Sequence, residues 1–269
     1  MIATDKLFAG SIPEIYDRFL VPLIFDSYAR DLADRLAKVQ PQDILETAAG
    51  TGALSRAIAS RLPAQVRIVA TDLNQPMLDR AAAHDPNGRI NWRQADALAL
   101  PFADQSFDAV ACQFGVMFFP DKVQGYKEAR RVLKPGGSFL FNVWDRISEN
   151  AFADVVSQAL AGLFPQDPPS FMARTPHGYH DEAVISRELR QAGFQSATIE
   201  SVDHMSRAAS ARDVAIAYCQ GTPLRNEIDA RDSSRLEEAT RIATEVLARR
   251  FGPGHVEGPI KAHVVTAVR

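Results

Sequence analysis

The sequence predicts an α/β protein built on a doubly wound, mostly parallel sheet, and three observations predict it. The apolar run Ile44-Leu45 ends at Glu46, enters the small-residue turn Thr47-Ala48-Ala49-Gly50-Thr51-Gly52, and gives way to helical spacing at Leu54, Ala57, Ile58 and Leu62. Strand-like and helix-like stretches then alternate from 43 to 145, which implies parallel pairing through right-handed crossovers. Carboxylates stand at the ends of three strand-like runs, Glu46, Asp72 and Asp96, at the sheet end where open α/β folds bind ligands.

In chain order, residues 1–40 read as amphipathic and helical. Ile15, Phe19, Leu20, Leu23, Ile24, Tyr28, Leu32 and Leu36 recur at three- and four-residue spacing. Pro13 and Pro22 interrupt this region, which predicts two short helices rather than one. Strands are expected over 43–46, 66–71, 90–95, 107–113 and 138–144. Helices are expected after 53, over 76–83 with Pro76 at its first turn, and over 123–133. Pro135-Gly136-Gly137 reads as a turn.

Beyond Asp145 the rhythm breaks. A helical stretch covers 151–164, a loop with four prolines covers 164–179, and a helix over 182–191 stops at Gly193 before a strand at 196–202. Helices are expected from 211 to about 251. Ser234 and Glu237 stand at capping-box spacing, Gly252 stops the last helix, and 263–268 reads as a closing strand.

Composition bounds the function. The chain has 269 residues, 46% hydrophobic and 23% charged, an ordinary soluble balance. A net charge of -3 argues against nucleic acid, whose phosphates call for a basic patch. Cys112 and Cys219 form neither a disulfide framework nor a metal spacing, so a reducing, cytoplasmic setting is expected, with no metal. No apolar run follows Met1-Ile2-Ala3-Thr4-Asp5-Lys6, so no signal peptide is expected. The apolar stretch from Ala109 to Phe119 is too short to span a membrane.

The loop after Glu46 invites a nucleotide-like ligand. Gly50 and Gly52 permit close backbone approach, the helix start offers unpaired N–H groups, and Asp72 can accept from two ribose hydroxyls. A nicotinamide dinucleotide site would look similar, except that its third glycine would fall at Ser55.

Asp96 and the run Ala97 to Asp108 decide between them. With these the chain resembles the class I S-adenosylmethionine-dependent methyltransferases, and within them the broad type 11 group that includes quinone-biosynthesis methyltransferases. Four blocks carry the resemblance: Ile44 to Leu54, Ala70 to Leu78, Gln94 to Asp108, and Glu128 to Gly137. It extends more weakly through Leu189 to Phe194 and the final strand.

The resemblance implies a Rossmann-like sheet of seven strands, the last inserted antiparallel, with N-terminal helices and a helical insertion after strand 5. It implies an N-terminal cap (1–40), a cofactor-binding core (41–145), a lid and substrate insertion containing strand 6 (146–225), and a C-terminal helix and last strand (226–269). It implies that Ala48, Gly50 and Gly52 face the methionine part of S-adenosylmethionine, and that Glu46 helps hold its amino group. Asp72 would take the ribose hydroxyls, Leu73 and Met77 would pack on adenine, and Asp96 and the Ala97 N–H would meet the base. Gln113 and Phe114 would lie near the transferable methyl. The family more often has Gly where this chain has Ala48, and Asp where it has Glu46. The Ala48 methyl would crowd the cofactor or force a negative φ.

The expected activity is in-line methyl transfer to a small, partly apolar acceptor, leaving S-adenosylhomocysteine, by a monomer or homodimer. The apolar lid residues Phe152, Leu160, Leu163, Phe164, Phe171 and Met172 suggest that acceptor. A protein that binds S-adenosylmethionine or S-adenosylhomocysteine without transfer fits the same motifs, and a nicotinamide-dependent oxidoreductase is a further alternative. Tyr16, His177 and His180 are candidate catalytic residues, with His204 as another possible base, although each also reads as an ordinary packed or loop side chain. Asp167-Pro168-Pro169-Ser170 reads as a rigid loop. Arg130-Arg131 and Arg249-Arg250 read as solvated surface.

Overall fold

A computed structural model describes Asp5, Phe8 and residues 10–269. Of the segment Met1 to Lys6 read above for a leader, only Asp5 lies within the described residues. Seven strands form one sheet in the order β3-β2-β1-β4-β5-β7-β6. They are β1 (Asp43–Glu46), β2 (Arg67–Asp72), β3 (Asn91–Gln94), β4 (Phe107–Gln113), β5 (Leu133–Trp144), β6 (Ser196–Ala208) and β7 (Val256–Val268). β1 to β5 pair in parallel, and β7 runs antiparallel between β5 and β6.

Alternate side chains of the central strands enter two separate cores, as the two-residue strand period demands. Ile44, Ile68, Ala70, Ala109 and Leu140 pack with α2 (Asp26–Lys38) and α3 (Ala53–Arg61) on one face. Leu45, Val69, Val110, Phe139 and Phe141 pack with α5 (Lys122–Val132) and α8 (Glu182–Gln191) on the other. Burial on both faces is why these strands read as continuous apolar runs.

The start of the chain departs from the two-helix expectation. α1 (Ile12–Ile15), a π-helical stretch over Tyr16–Phe25 and α2 follow one another without a break. Pro22 lies inside the π-helical stretch, whose wider turn makes room for a ring that would clash in a regular helix.

Three other local readings are corrected. The turn at Pro135-Gly136-Gly137 is a bulge within β5, since Leu133 pairs with Phe107 while Ser138 pairs with Ala109. The loop over 164–179 contains α7 (Phe171–Arg174). The Ser234–Glu237 box does not form. Asp232 accepts from the Ser234 N–H and hydroxyl, so the chain makes a short 3-10 turn before α11 (Leu236–Phe251) begins.

α4 (Gln75–Ala83), α6 (Ala151–Leu163), α9 (Ala211–Gln220) and α10 (Leu224–Asp232) complete the helices. Two of the motif blocks prove to be structural. Arg131 holds Glu128, Asp104 and the carbonyls of Leu100 and Phe102, tying the strand-linking segment after Asp96 to α5 rather than facing free solvent. Lys134 bridges Asp43 and Asp108, joining β1, β4 and β5 at the end of the sheet opposite the loop after Glu46.

Candidate functional site

The site lies beyond the C-terminal ends of β1, β2 and β4. The chain leaves β1 at Glu46, and the next residues alternate into the left-handed region at Ala48 (φ 53°), Gly50 (φ 57°) and Gly52 (φ 82°). Two backbone bonds pin the loop: Thr47 N–H donates to the Ala111 carbonyl and Ala49 N–H to the Thr71 carbonyl, each at 2.9 Å.

Asp72, at the end of β2, braces the loop from its other side. It accepts from the Gly50 N–H and the Asn74 N–H, each at 2.8 Å and each on a different oxygen. The first of these oxygens, Oδ2, keeps a lone pair for a ligand, while Oδ1 also accepts from the Asn74 side-chain amide at 3.3 Å. Burial pushes the Asp72 carboxyl up, against the pull of those same hydrogen bonds.

Two cavities meet here. The larger, about 820 Å³, is lined by Ala48, Gly50, Asp72, Leu73, Met77, Asp96, Ala97, Gln113 and Phe114 among others. Nine of the eleven residues expected to bind cofactor are thus brought together. The recess beneath the loop is reached by the tenth, Glu46, beside Gly50, Tyr16 and Gln113. Glu46 is buried and takes the Ser55 hydroxyl; burial pushes its carboxyl up from the usual 4.5 to about 8.

Gly52 is the exception. A Cβ there would lie 2.6 Å from the Trp92 ring, so its glycine makes room for Trp92 and Ala81 rather than for a ligand. Ala48 also departs from expectation. Its φ stays positive, and its methyl points at Gly115, where any Cβ would collide with it.

Gln113 carries an open valence. Its Nε2 donates to the Phe25 carbonyl at 2.9 Å, while its Oε1 is buried with no hydrogen-bond partner among the described residues. Asp96 accepts from the Leu98 N–H at 2.9 Å and stays exposed.

The second cavity, about 440 Å³, lies behind the stacked pair Phe114 and Trp144, whose ring centroids are 3.8 Å apart. It shares Phe8, Tyr16, Phe114 and Phe118 with the first. Of the six apolar lid residues singled out above, only Phe171 and Met172 line it. Phe152 packs edge-on against Phe251, Phe164 lies under Arg235, and Leu160 is buried core.

Among the candidate catalytic residues, Tyr16 alone joins the site. Burial and three nearby carboxylates, Asp72, Asp17 and Glu46, push its phenol up. His177 and His180 line neither cavity. His177 is buried with Nδ1 on the Asp145 carbonyl at 2.8 Å, and burial lowers it to about 4. His180 has Nδ1 on the His177 carbonyl at 2.9 Å. His204 lies in β6 with its ring 4.6 Å from that of Tyr28.

Sequence reasoning missed Phe8, Asn74, Phe118, Phe119 and Pro120 on the larger cavity and most of the smaller one. Asn74 had a signal, since it follows the strand-end Asp72 by two residues. Among the described residues no group of His, Cys, Asp and Glu could hold a metal, and no helix is long and apolar enough to cross a membrane.

Comparison with known proteins agrees with this geometry. Residues 45–141 match the methyltransferase domain model. A demethylmenaquinone methyltransferase of Chlorobaculum parvum is 32% identical over 194 residues, covering 66% of this chain and 78% of that protein. One from Deinococcus radiodurans is 37% identical over 139 residues, covering 50% and 57%. The chain thus spans little more than half the length of that relative. In structure, phosphoethanolamine N-methyltransferase 2 of Haemonchus contortus, in complex with S-adenosylmethionine, shares the fold. Its TM-score is 0.59 at 16% identity, covering all of this chain and 60% of that one. The match to a relative over more than three quarters of its length, on a seven-stranded sheet with β7 inserted antiparallel, shows that the chain belongs to the class I S-adenosylmethionine-dependent methyltransferase family, in its quinone-biosynthesis-like group.

Proposed function

We propose that this chain transfers a methyl group from S-adenosylmethionine to a small, partly apolar acceptor. The observation that carries the proposal is the join between the two cavities. One is lined by strand-end carboxylates and the other by aromatic and aliphatic side chains, and they meet at Tyr16, Phe114 and Phe118.

The residues present suit the cofactor. Asp72 would take the ribose hydroxyls, with an open lone pair on Oδ2, and Asp96 with the Ala97 N–H would take the adenine edge. The orphaned Gln113 Oε1 has the chemistry to accept from the methionine ammonium. Glu46 would ionise as that cation arrives, because an adjacent positive charge favours the carboxylate over the buried acid. When bound, S-adenosylmethionine supplies a methyl on a positively charged sulfur: the acceptor's electron pair forms the new bond to carbon, the C–S pair stays on sulfur as a neutral thioether, and any acceptor proton leaves to water.

This chain's own part is then alignment of the acceptor. Phe114 and Trp144 form the wall against which an acceptor would lie, and among the described residues no histidine or carboxylate lines the acceptor chamber as a general base.

Two measurements test the reading. Titration calorimetry of Asp72→Asn should show S-adenosylmethionine bound about 1–3 kcal/mol more weakly than by the native chain. A labelled-methyl assay over a panel of small aromatic acceptors should show transfer. Tight cofactor binding with no transfer to any of them would favour a binding protein, and preference for a nicotinamide dinucleotide would sink the proposal.

A further inference from the structure

The smaller cavity has three properties that together describe what fits it. Its empty space of about 440 Å³, the part open to solvent included, is about half that of the larger cavity, about 820 Å³. Among the described residues no Asp, Glu, Lys, Arg, His or Cys lines it, so a charged ligand would lose its hydration there without gaining a partner from them. Its partly exposed lining residues, Phe8, Tyr16 and Phe118, are ones it shares with the larger cavity, and the rest of its lining is buried. Among the described residues the way in therefore runs past the larger cavity, and none in the lining opens a second outlet through which a long chain could trail.

Among the described residues two side chains that line the chamber and not the larger cavity carry an uncommitted polar group, the Trp144 indole N–H and the Tyr218 phenol; the phenol can both donate and accept. Thr222 donates its hydroxyl to the Tyr218 carbonyl at 2.8 Å and accepts from the Leu224 N–H at 3.1 Å, so it is spent. Tyr16 turns its hydroxyl toward the loop, 3.9 Å from where a Cβ on Gly50 would stand. Tyr218, on α9, is 2% exposed, and its phenol has no hydrogen-bond partner among the described residues; only burial acts on it. A buried hydroxyl without a partner costs stability that a ligand atom can recover.

We propose that the chamber takes a compact, uncharged ring compound with no long lipid tail, and that Tyr218 selects it by hydrogen-bonding one oxygen or nitrogen of the ring. The proposal deepens the methyl-transfer reading by naming the class of acceptor and rests on it only for the reaction, since binding in the chamber can be measured alone.

Trp144 lines the chamber, and Trp92→Phe leaves it as the sole tryptophan reporter. In that background 2-naphthol, neutral at pH 7, should quench the fluorescence saturably. 2-Naphthoate, which adds a charge, and menaquinol-4, which adds a prenyl tail, should not do so at the same concentrations. Tyr218→Phe should raise the 2-naphthol Kd about 3- to 10-fold and leave the S-adenosylmethionine Kd from calorimetry unchanged. Failure of 2-naphthol to bind, equal binding of 2-naphthoate or menaquinol-4, or an unaltered Kd in Tyr218→Phe would each overturn the assignment. Binding of 2-naphthol by a chain that does not bind S-adenosylmethionine would instead overturn the methyl-transfer reading and leave the chamber assignment standing.

Discussion

At Ala48 the backbone occupies the left-handed region, where a residue with a Cβ costs about 1–2 kcal/mol relative to its right-handed form. The neighbouring loop bonds hold it there, and Gly115 provides the space for its methyl. A Cβ at 115 would collide with that methyl and stand 2.7 Å from Cys112 Sγ. Gly115→Ala should therefore lower stability by about 1–3 kcal/mol in thermal denaturation. Adding Ala48→Gly should recover part of the loss, because it removes one of the two clashes; strictly additive costs would refute the coupling. Glu46 makes a pH-dependent prediction. Its folded carboxyl titrates near 8 against the usual 4.5, so the folded state holds the proton more tightly than the unfolded chain. The stability this gives is present in full below about pH 4.5 and is lost as the pH rises to about 8. Glu46→Gln should flatten that slope in the ligand-free protein, as read by denaturant midpoints at pH 5, 7 and 9. Asp72 and Asp96 were legible because a carboxylate at a strand end has a position that spacing reveals. Tyr218 and Trp144 were not, because an aromatic residue reads the same in a core and in a chamber wall. His177 misled for a related reason: a histidine in a proline-rich loop looks available until its burial and its bond to the Asp145 carbonyl are seen.

The helical run from Ile12 to Lys38 does at the level of an element what no single residue could do. It carries Tyr16 and Phe25 to the cavities and is tied across the loop-bearing half of the sheet by Asp17. That carboxylate, on a side chain 8% exposed, takes Arg80 at 2.9 Å and His84 at 2.8 Å, at the far end of α4 and just beyond it, with Arg56 of α3 at 3.9 Å. α4 also carries Met77, which lines the larger cavity. Asp17→Asn should loosen the run as a unit. Amide exchange over residues 16–25 should quicken, consistent with a local opening easier by about 1–2 kcal/mol, while β4 and β5 stay protected. Uniform loss of protection across the sheet would show that Asp17 supports the whole fold instead. The apolar periodicity made the helicity of this run legible, but not its continuity. Pro22 signals a break in any reading based on regular helix geometry, and only a widened turn reconciles the two. The Ser234 reading failed by a smaller margin: Asp232, two residues earlier, captured the groups that a box would have used.

In the whole molecule the sheet is closed by its last strand. All thirteen residues of β7 pair with β6, and seven residues of β5 pair with its other edge. The sequence pattern reached only its final residues, 263–268, because Gly258 and Pro259 interrupt the apolar alternation earlier in the strand. Gly258 is required there: a Cβ would stand 2.9 Å from the Phe152 ring. A chain ending at residue 255 should lose cooperative unfolding by circular dichroism and become readily cleaved by protease, because β5 and β6 would be left without the strand between them. Full-length stability in that variant would show the parallel half to be self-sufficient. The same placement sets an order on synthesis. A ribosome delivers β5 more than a hundred residues before β7 and β6 some fifty before, so during translation both wait with open edges while their shared partner is still being made. The nascent protein is thus most exposed to wrong pairing between the synthesis of β5 and that of β7, and factors that shield strand edges would act on it then, before the sheet can close.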